Sequence, residues 1–102
     1  MKKHRIAEYR ICNTWIQKCI GCMFKKIDLP LIFVFDKRTR ISIHSFFVPE
    51  KINVFWLDKN KNVIMESELR PWSLNRGCIA KYLVETHKNQ FSHINVGDKI
   101  EF

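Results

Sequence analysis

The 102-residue chain is 46% hydrophobic and 27% charged, with a net charge of +8, the balance of a folded globular protein and not of a disordered or fibrous one. No window approaches the ~18 continuous apolar residues of a membrane span. The basic start Met1-Lys2-Lys3-His4-Arg5 leads into no apolar signal core, so a single cytoplasmic domain over residues 1–102, with no membrane partner, is expected.

Residues 5–11 read as a first strand. Thr14-Trp15-Ile16-Gln17 has the form of a capping box, in which the Thr hydroxyl and the Gln side chain satisfy each other's backbone amides. It predicts a short helix whose apolar stripe is Trp15, Ile16, Cys19, Ile20 and Met23, ending near Gly21, Lys25 and Lys26. From Leu31 the period changes. Residues 31–35 form a continuous apolar run, residues 36–40 a charged turn, and residues 41–48 a strand that alternates before turning wholly apolar. A turn at Pro49 precedes a strand over residues 52–57. The loop of residues 58–62 then forms a hairpin into residues 63–65. An irregular segment runs from Pro71 to about Cys78, and strands over residues 80–86 and 99–102 close the chain. The expected class is α+β, mainly β: one N-terminal helix packed on a curved, mostly antiparallel, partly barrel-like sheet. No βαβ unit is present, and with it goes a Rossmann-type phosphate site.

The loudest chemical feature is Cys19 and Cys22, two of four cysteines. A redox pair needs its nucleophilic thiol at a helix N-terminus, where the macrodipole favours the thiolate. The capping box puts this pair at the opposite end. A structural zinc site needs four ligands, generally as two closely spaced pairs, and only one pair exists. Both cysteines therefore read as small core hydrophobes, and neither a metal nor a cofactor is expected.

The order of several short segments resembles the domain of unknown function 192 family, in its archaeal-like branch. The matching pieces are Gly21-Cys22-Met23-Phe24, Phe33-Val34-Phe35, Ser42-Ile43-His44-Ser45-Phe46-Phe47-Val48 and Ile52-Asn53-Val54-Phe55-Trp56-Leu57-Asp58. Leu69-Arg70-Pro71-Trp72, the strand of residues 80–85 and Val96-Gly97-Asp98-Lys99 complete the pattern. Asn53 stands where the family usually has Asp, and Thr86-His87-Lys88-Asn89 replaces a glycine-containing turn. The resemblance implies an architecture and no reaction.

Two sets of candidate binding residues follow. Ser42 and His44 share a strand face, and Asn53 is a polar residue in an apolar strand, which demands a hydrogen-bond partner or a ligand. His44, Asn53, Arg70 and Trp72 are therefore expected at the mouth of the curved sheet, lining a site for an unidentified small molecule. The second set follows charge. Residues 1–51 carry eleven Lys/Arg against four Asp/Glu, and residues 52–102 seven against six. Lys2, Lys3, Arg5, Lys25, Lys26, Lys37, Arg38 and Arg40 are the alternative site, one for RNA or another anionic partner. Nucleophile elbows, His-Glu-x-x-His helices and P-loops are missing, so a non-catalytic binding module is favoured over an enzyme. Asp58 and Asp98 read as turn residues bonded to nearby backbone.

Overall fold

The run Ile52-Asn-Val-Phe-Trp-Leu57 has no polar face to offer water, and every one of its residues is buried. A strand of this kind must be covered on both sides. The computed structural model describes residues 2–12, 30–44, 51–87 and 93–102, with Cys12, residues 36–39, His44 and His87 described through their backbone. It contains β1 (Lys3–Arg5), β2 (Arg10–Cys12), β3 (Leu31–His44), β4 (Ile52–Leu57), β5 (Val63–Leu69), β6 (Leu74–His87) and β7 (Lys99–Glu101). Five strands form one sheet in the order β2-β3-β6-β4-β5, and β1 pairs with β7 in a separate ribbon. The β1–β7 and β2–β3 pairs are parallel; the others are antiparallel.

The α+β expectation is corrected by these elements. All the described elements are strands, and no helix occurs among the described residues, so the protein is a small β-rich domain. The helix expected to begin at Thr14 falls within residues 13–29, outside the described residues. Other boundaries change as well, and β5 runs on to Leu69. Residues 5–11 are not one strand: β1 and β2 belong to different sheets, with buried Ile6 between them. Residues 36–40 are not a turn. β3 continues through them as a bulge, since Val34 pairs with Tyr82 and pairing resumes at Thr39 with Ala80. The charged side chains suggested a chain reversal, whereas the ladder to β6 on both sides holds the strand on course. The irregular segment ends at Ser73, because β6 begins at Leu74 and Leu74 is the register partner of His44.

Alternation assigns the side chains of the five-stranded sheet to two cores. Leu31, Phe33, Ile41, Ile43, Ile52, Val54, Trp56, Leu69, Ala80 and Leu83 fill one. Ile32, Phe55, Leu57, Val63 and Val84 fill the other, together with Ile6, Ile94 and Ile100 from the ribbon and its approach. Ala80 and Tyr82 are two residues apart, yet they pack on different cores. Strict alternation would put them on one face, so β6 bends opposite the bulge in β3.

The bend is fastened by one side chain. Trp56 Nε1 donates to the Ile41 carbonyl at 2.8 Å in the interior, although β3 and β4 are not neighbours in the sheet. Contact across that separation requires the second half of β3 to fold over β4. Gly77 makes the approach possible. It sits where two residues of β6 oppose one of β3, between the pairs Ile41–Cys78 and Ile43–Asn75, and its φ is +66°. A Cβ there would collide with the Ile41 carbonyl oxygen and stand 2.6 Å from Trp56 Nε1.

Gly97 supplies a control, since its φ is +96° but nothing lies within 4 Å of an added Cβ. Gly97→Ala should cost ~1–2 kcal/mol of left-handed strain alone. Gly77→Ala should cost ~3 kcal/mol or more, because it also displaces the indole and leaves a buried carbonyl without its donor. Urea unfolding of both variants checks this, and equal losses would show that the Trp56–Ile41 contact does not govern the bend.

Candidate functional site

β1 and β7 lie side by side with Lys3 opposite Lys99, His4 opposite Ile100 and Arg5 opposite Glu101. In a strand pair, opposite residues point to the same side. His4 and Ile100 therefore face inward, and Lys3, Arg5, Lys99 and Glu101 form the outer face. The other edge of β7 meets the β4–β5 hairpin. Asn62 bridges to Lys99, Ile100 N donates to the Lys61 carbonyl at 3.0 Å, and Val63 N donates to that of Asp98 at 2.7 Å.

The hairpin is a tight turn closed by Lys61 N to the Asp58 carbonyl, 3.0 Å, and by Asp58 N to the Asn62 carbonyl, 3.0 Å. Asp58 Oδ1 accepts from Asn60 N and Asn62 N, the backbone role expected of it. Lys61 takes the left-handed position of this turn, φ 66°, where glycine is the usual occupant. Its side chain accounts for a lysine there. Lys61 Nζ donates to the Phe102 backbone oxygen at 2.8 Å and lies 3.9 Å from the Phe102 ring centroid. Phe102 in turn meets Tyr9 and Tyr82 edge to face, with centroids 5.9 and 5.3 Å away.

Two clefts flank this aromatic cluster. One, about 370 Å³, is lined by Arg5, Ile6, Ala7, Tyr9, Glu101 and Phe102. The other, about 320 Å³, is lined by Lys59, Asn60, Lys61, Lys99, Glu101 and Phe102. Glu101 and Phe102 form the ridge they share. Four cations and one carboxylate side chain thus border the two clefts, whose walls include the Tyr9 and Phe102 rings.

Only part of the basic set anticipated from sequence contributes. Arg5 lines a cleft, and Lys3 shares its outer face. Lys2 is exposed just before β1. Lys37 and Arg38 lie in the bulged stretch of β3, in the other sheet, and Arg40 on that strand donates to the Gly77 carbonyl at 3.2 Å. Lys25 and Lys26 fall outside the described residues. Lys59, Lys61, Lys99, Tyr9, Glu101 and Phe102 were missed. The lysine-rich hairpin was visible as a loop, but its position beside β7 depends on the pairing of the chain's first and last strands, which leaves no local signal.

The four sheet-mouth candidates surround the β5–β6 connection in backbone terms. Asn53 pairs with Glu68, Arg70 and Trp72 occupy the connection, and His44 pairs with Leu74 just beyond it. Of the four, only Asn53 lines a described cleft, a small one of about 170 Å³ shared with Phe55, Glu66, Ser67 and Glu68. Asn53 is 7% exposed, whereas Trp72 is 62% exposed and holds a left-handed φ of 61°. Glu68 already faces Lys51 at 4.0 Å.

Asp98 anchors the ribbon. Its Oδ1 accepts from Lys2 N at 3.1 Å, and its Oδ2 accepts from Asn95 N at 3.1 Å. Oδ2 also meets His4 Nε2 at 2.8 Å. An ionised carboxylate only accepts, so Nε2 of His4 carries the proton. The hydrogen bond from His4 and those from the Asn95 and Lys2 amides hold the Asp98 carboxyl down to about 2, well below its ordinary value. The His93 ring stands edge-on to His4, centroids 5.0 Å apart. Cys78 is a half-buried free thiol; burial pushes it up and the Arg40 guanidinium opposes this. Cys19 and Cys22 lie outside the described residues. Among the described residues no group of three or more His, Cys, Asp or Glu is placed to hold a metal, and no helix is long and apolar enough to cross a membrane.

These features define a small β-rich domain in which a bent five-stranded sheet carries a terminal ribbon with a basic, aromatic-based face. The chain belongs to the DUF192 family, described as Uncharacterized ACR, COG1430, whose model matches residues 1–102. It is 37% identical over 101 residues to a UPF0127 protein of Pyrococcus horikoshii, covering 94% of this chain and 88% of that one. A UPF0127 protein of Pyrococcus furiosus is 36% identical over 100 residues, covering 93% and 86%. Among solved structures, a protein of unknown function from Novosphingobium aromaticivorans superposes with a TM-score of 0.79 at 14% identity, over 92% of this chain and 74% of that one. A putative transcription regulator from Sinorhizobium meliloti gives 0.75 at 15% identity, over 89% and 78%. At such identities the two structures share the fold alone.

The Asp98 carboxylate gives a pH test. Because its folded value is depressed, its contribution to stability is complete above the ordinary carboxylate range and drains away as pH falls toward 2. Asp98→Asn should therefore melt well below the parent protein at pH 6, and the gap should narrow at pH 2.5. Thermal melts of both proteins at the two pH values check this, and a gap that does not change with pH would mean that the charge on Asp98 is not what anchors the ribbon.

Proposed function

We propose that this protein is a non-catalytic binding module that takes an anionic ligand on the face built by β1, β7 and the β4–β5 hairpin. The observation that carries the reading is the convergence of Arg5, Lys59, Lys61 and Lys99 on two adjoining clefts that hold one carboxylate. Lys3 extends the cationic face beside Lys99. Cations grouped around concave surface concentrate anions more effectively than the same charges spread over a sphere. The net charge of +8 adds a long-range attraction of the same sign.

A neutral or cationic small molecule at the sheet mouth is the weaker reading. Asn53 lines the cleft there. However, its cleft of about 170 Å³ falls short of the ~300 Å³ at which ligand pockets begin.

A fluorescent single-stranded 10-mer serves as the polyanion probe. With three to four phosphates neutralised, affinity should fall roughly 20- to 50-fold between 50 and 200 mM salt. Replacing Lys59, Lys61 and Lys99 together by Gln should remove most of the binding and most of the salt dependence, while Arg70→Gln at the sheet mouth leaves both unchanged. Fluorescence anisotropy reads each outcome. Binding that survives the triple replacement would place the ligand elsewhere.

A further inference from the structure

We propose that the two basic-face clefts are halves of one nucleotide site: the base lies in the Arg5–Tyr9 cleft, the phosphate in the lysine cleft, and Glu101 between them reads the base. This rests on the reading of the face as an anion site and names its ligand.

The clefts are sorted by chemistry. On one side of the Glu101–Phe102 ridge stand three lysines, Lys59, Lys61 and Lys99, with the Asn60 amide. Ammonium groups are compact point charges suited to phosphate oxygens. On the other side are one guanidinium, two rings and the apolar Ile6 and Ala7. Aromatic rings and guanidinium planes are the surfaces on which nucleobases stack. A site for bare phosphate would need the first half only. A nucleotide carries both parts in one molecule, and the clefts adjoin through shared walls.

Glu101 is the one carboxylate side chain in either cleft. It lies between cations on the outer face of β7, opposite Arg5, and no ion pair to it forms among the described residues. Its negative charge opposes the attraction that its neighbours create for phosphate. An ionised carboxylate accepts two parallel hydrogen bonds and donates none. Guanine offers a ring N–H beside an exocyclic amino group, a donor pair that fits the two oxygens, and uracil offers a single N–H. The face should therefore prefer guanine. Free nucleotides and single strands share this chemistry.

Anisotropy with labelled (GU)5 and U10 RNA tests the assignment, with inorganic polyphosphate and guanosine monophosphate as competitors. (GU)5 should bind about tenfold tighter than U10, near the low end of what a two-point base contact discriminates. Glu101→Gln should bring the two RNAs close to parity while U10 binding holds or strengthens, which loss of folding would not produce. Arg5→Gln should weaken (GU)5 more than polyphosphate. Displacement of (GU)5 by guanosine monophosphate would identify the free nucleotide as sufficient; its failure to compete, with the guanine preference intact, would identify the strand. If polyphosphate competes as well as RNA and Glu101→Gln leaves the (GU)5 to U10 ratio unchanged, the anion site stands and the nucleotide assignment is overturned. If neither RNA nor polyphosphate binds, the underlying reading of the face fails as well.

Discussion

One indole hydrogen bond sets the shape of this protein. Trp56 projects from the central strand into the interior and donates to the Ile41 carbonyl on a strand that is not its neighbour. A buried tryptophan N–H without a partner is costly, as is a buried carbonyl. Satisfying both at once requires β3 to bend over β4, with the bulge at residues 35–38 and the glycine bulge at Gly77 supplying the curvature. The alternative, a flat sheet with Trp56 directed at solvent, would forgo the burial of the largest side chain in the core.

The bend determines what the rest of the chain must cover. With one core enclosed by the bent sheet, the second core on the opposite face is closed by Ile6, Ile94 and Ile100, residues from near the two ends of the chain. Asp98 then fixes the geometry of that closure: its carboxylate gathers a backbone amide from Lys2, another from Asn95 and the ring N–H of His4. Since β7 is bonded to β1 on one edge and to the hairpin on the other, charges distant in sequence become neighbours. Arg5, Lys61 and Lys99 share a surface for the same reason that Ile6, Val63 and Ile100 share a core.

The strands were legible where a face must be buried. The apolar run of residues 52–57 and the hairpin at Asp58 followed from pattern and turn chemistry, and Asp98 was readable as a turn residue. The misreadings arose where pairing overrode local character. The charged residues 36–40 carry a turn's composition, yet the ladder to β6 makes them a bulge within one strand. Gly77 falls in the stretch expected to be irregular, yet it lies inside β6 against the Ile41 carbonyl and the Trp56 indole. The basic face was half visible: Lys3 and Arg5 stood out in a basic stretch, whereas Lys59, Lys61 and Lys99 sat in a half of the chain with nearly balanced charge. Net charge by segment could not show that the two ends meet. The sheet-mouth residues His44, Asn53, Arg70 and Trp72 lie around one connection in the backbone, a proximity that follows from the pairing of β4 with β5 and of β3 with β6.

A ligand seated on the proposed ribbon face would leave the sheet mouth untouched. The most direct measurement is a two-dimensional amide NMR titration of the isotopically labelled protein with unlabelled (GU)5 RNA. Binding on the ribbon face should shift the amides of residues 5–9, 59–62 and 99–102 and leave Asn53, Arg70 and Trp72 unmoved. Shifts centred on Asn53, Arg70 and Trp72, or no shifts at millimolar RNA in low salt, would contradict it.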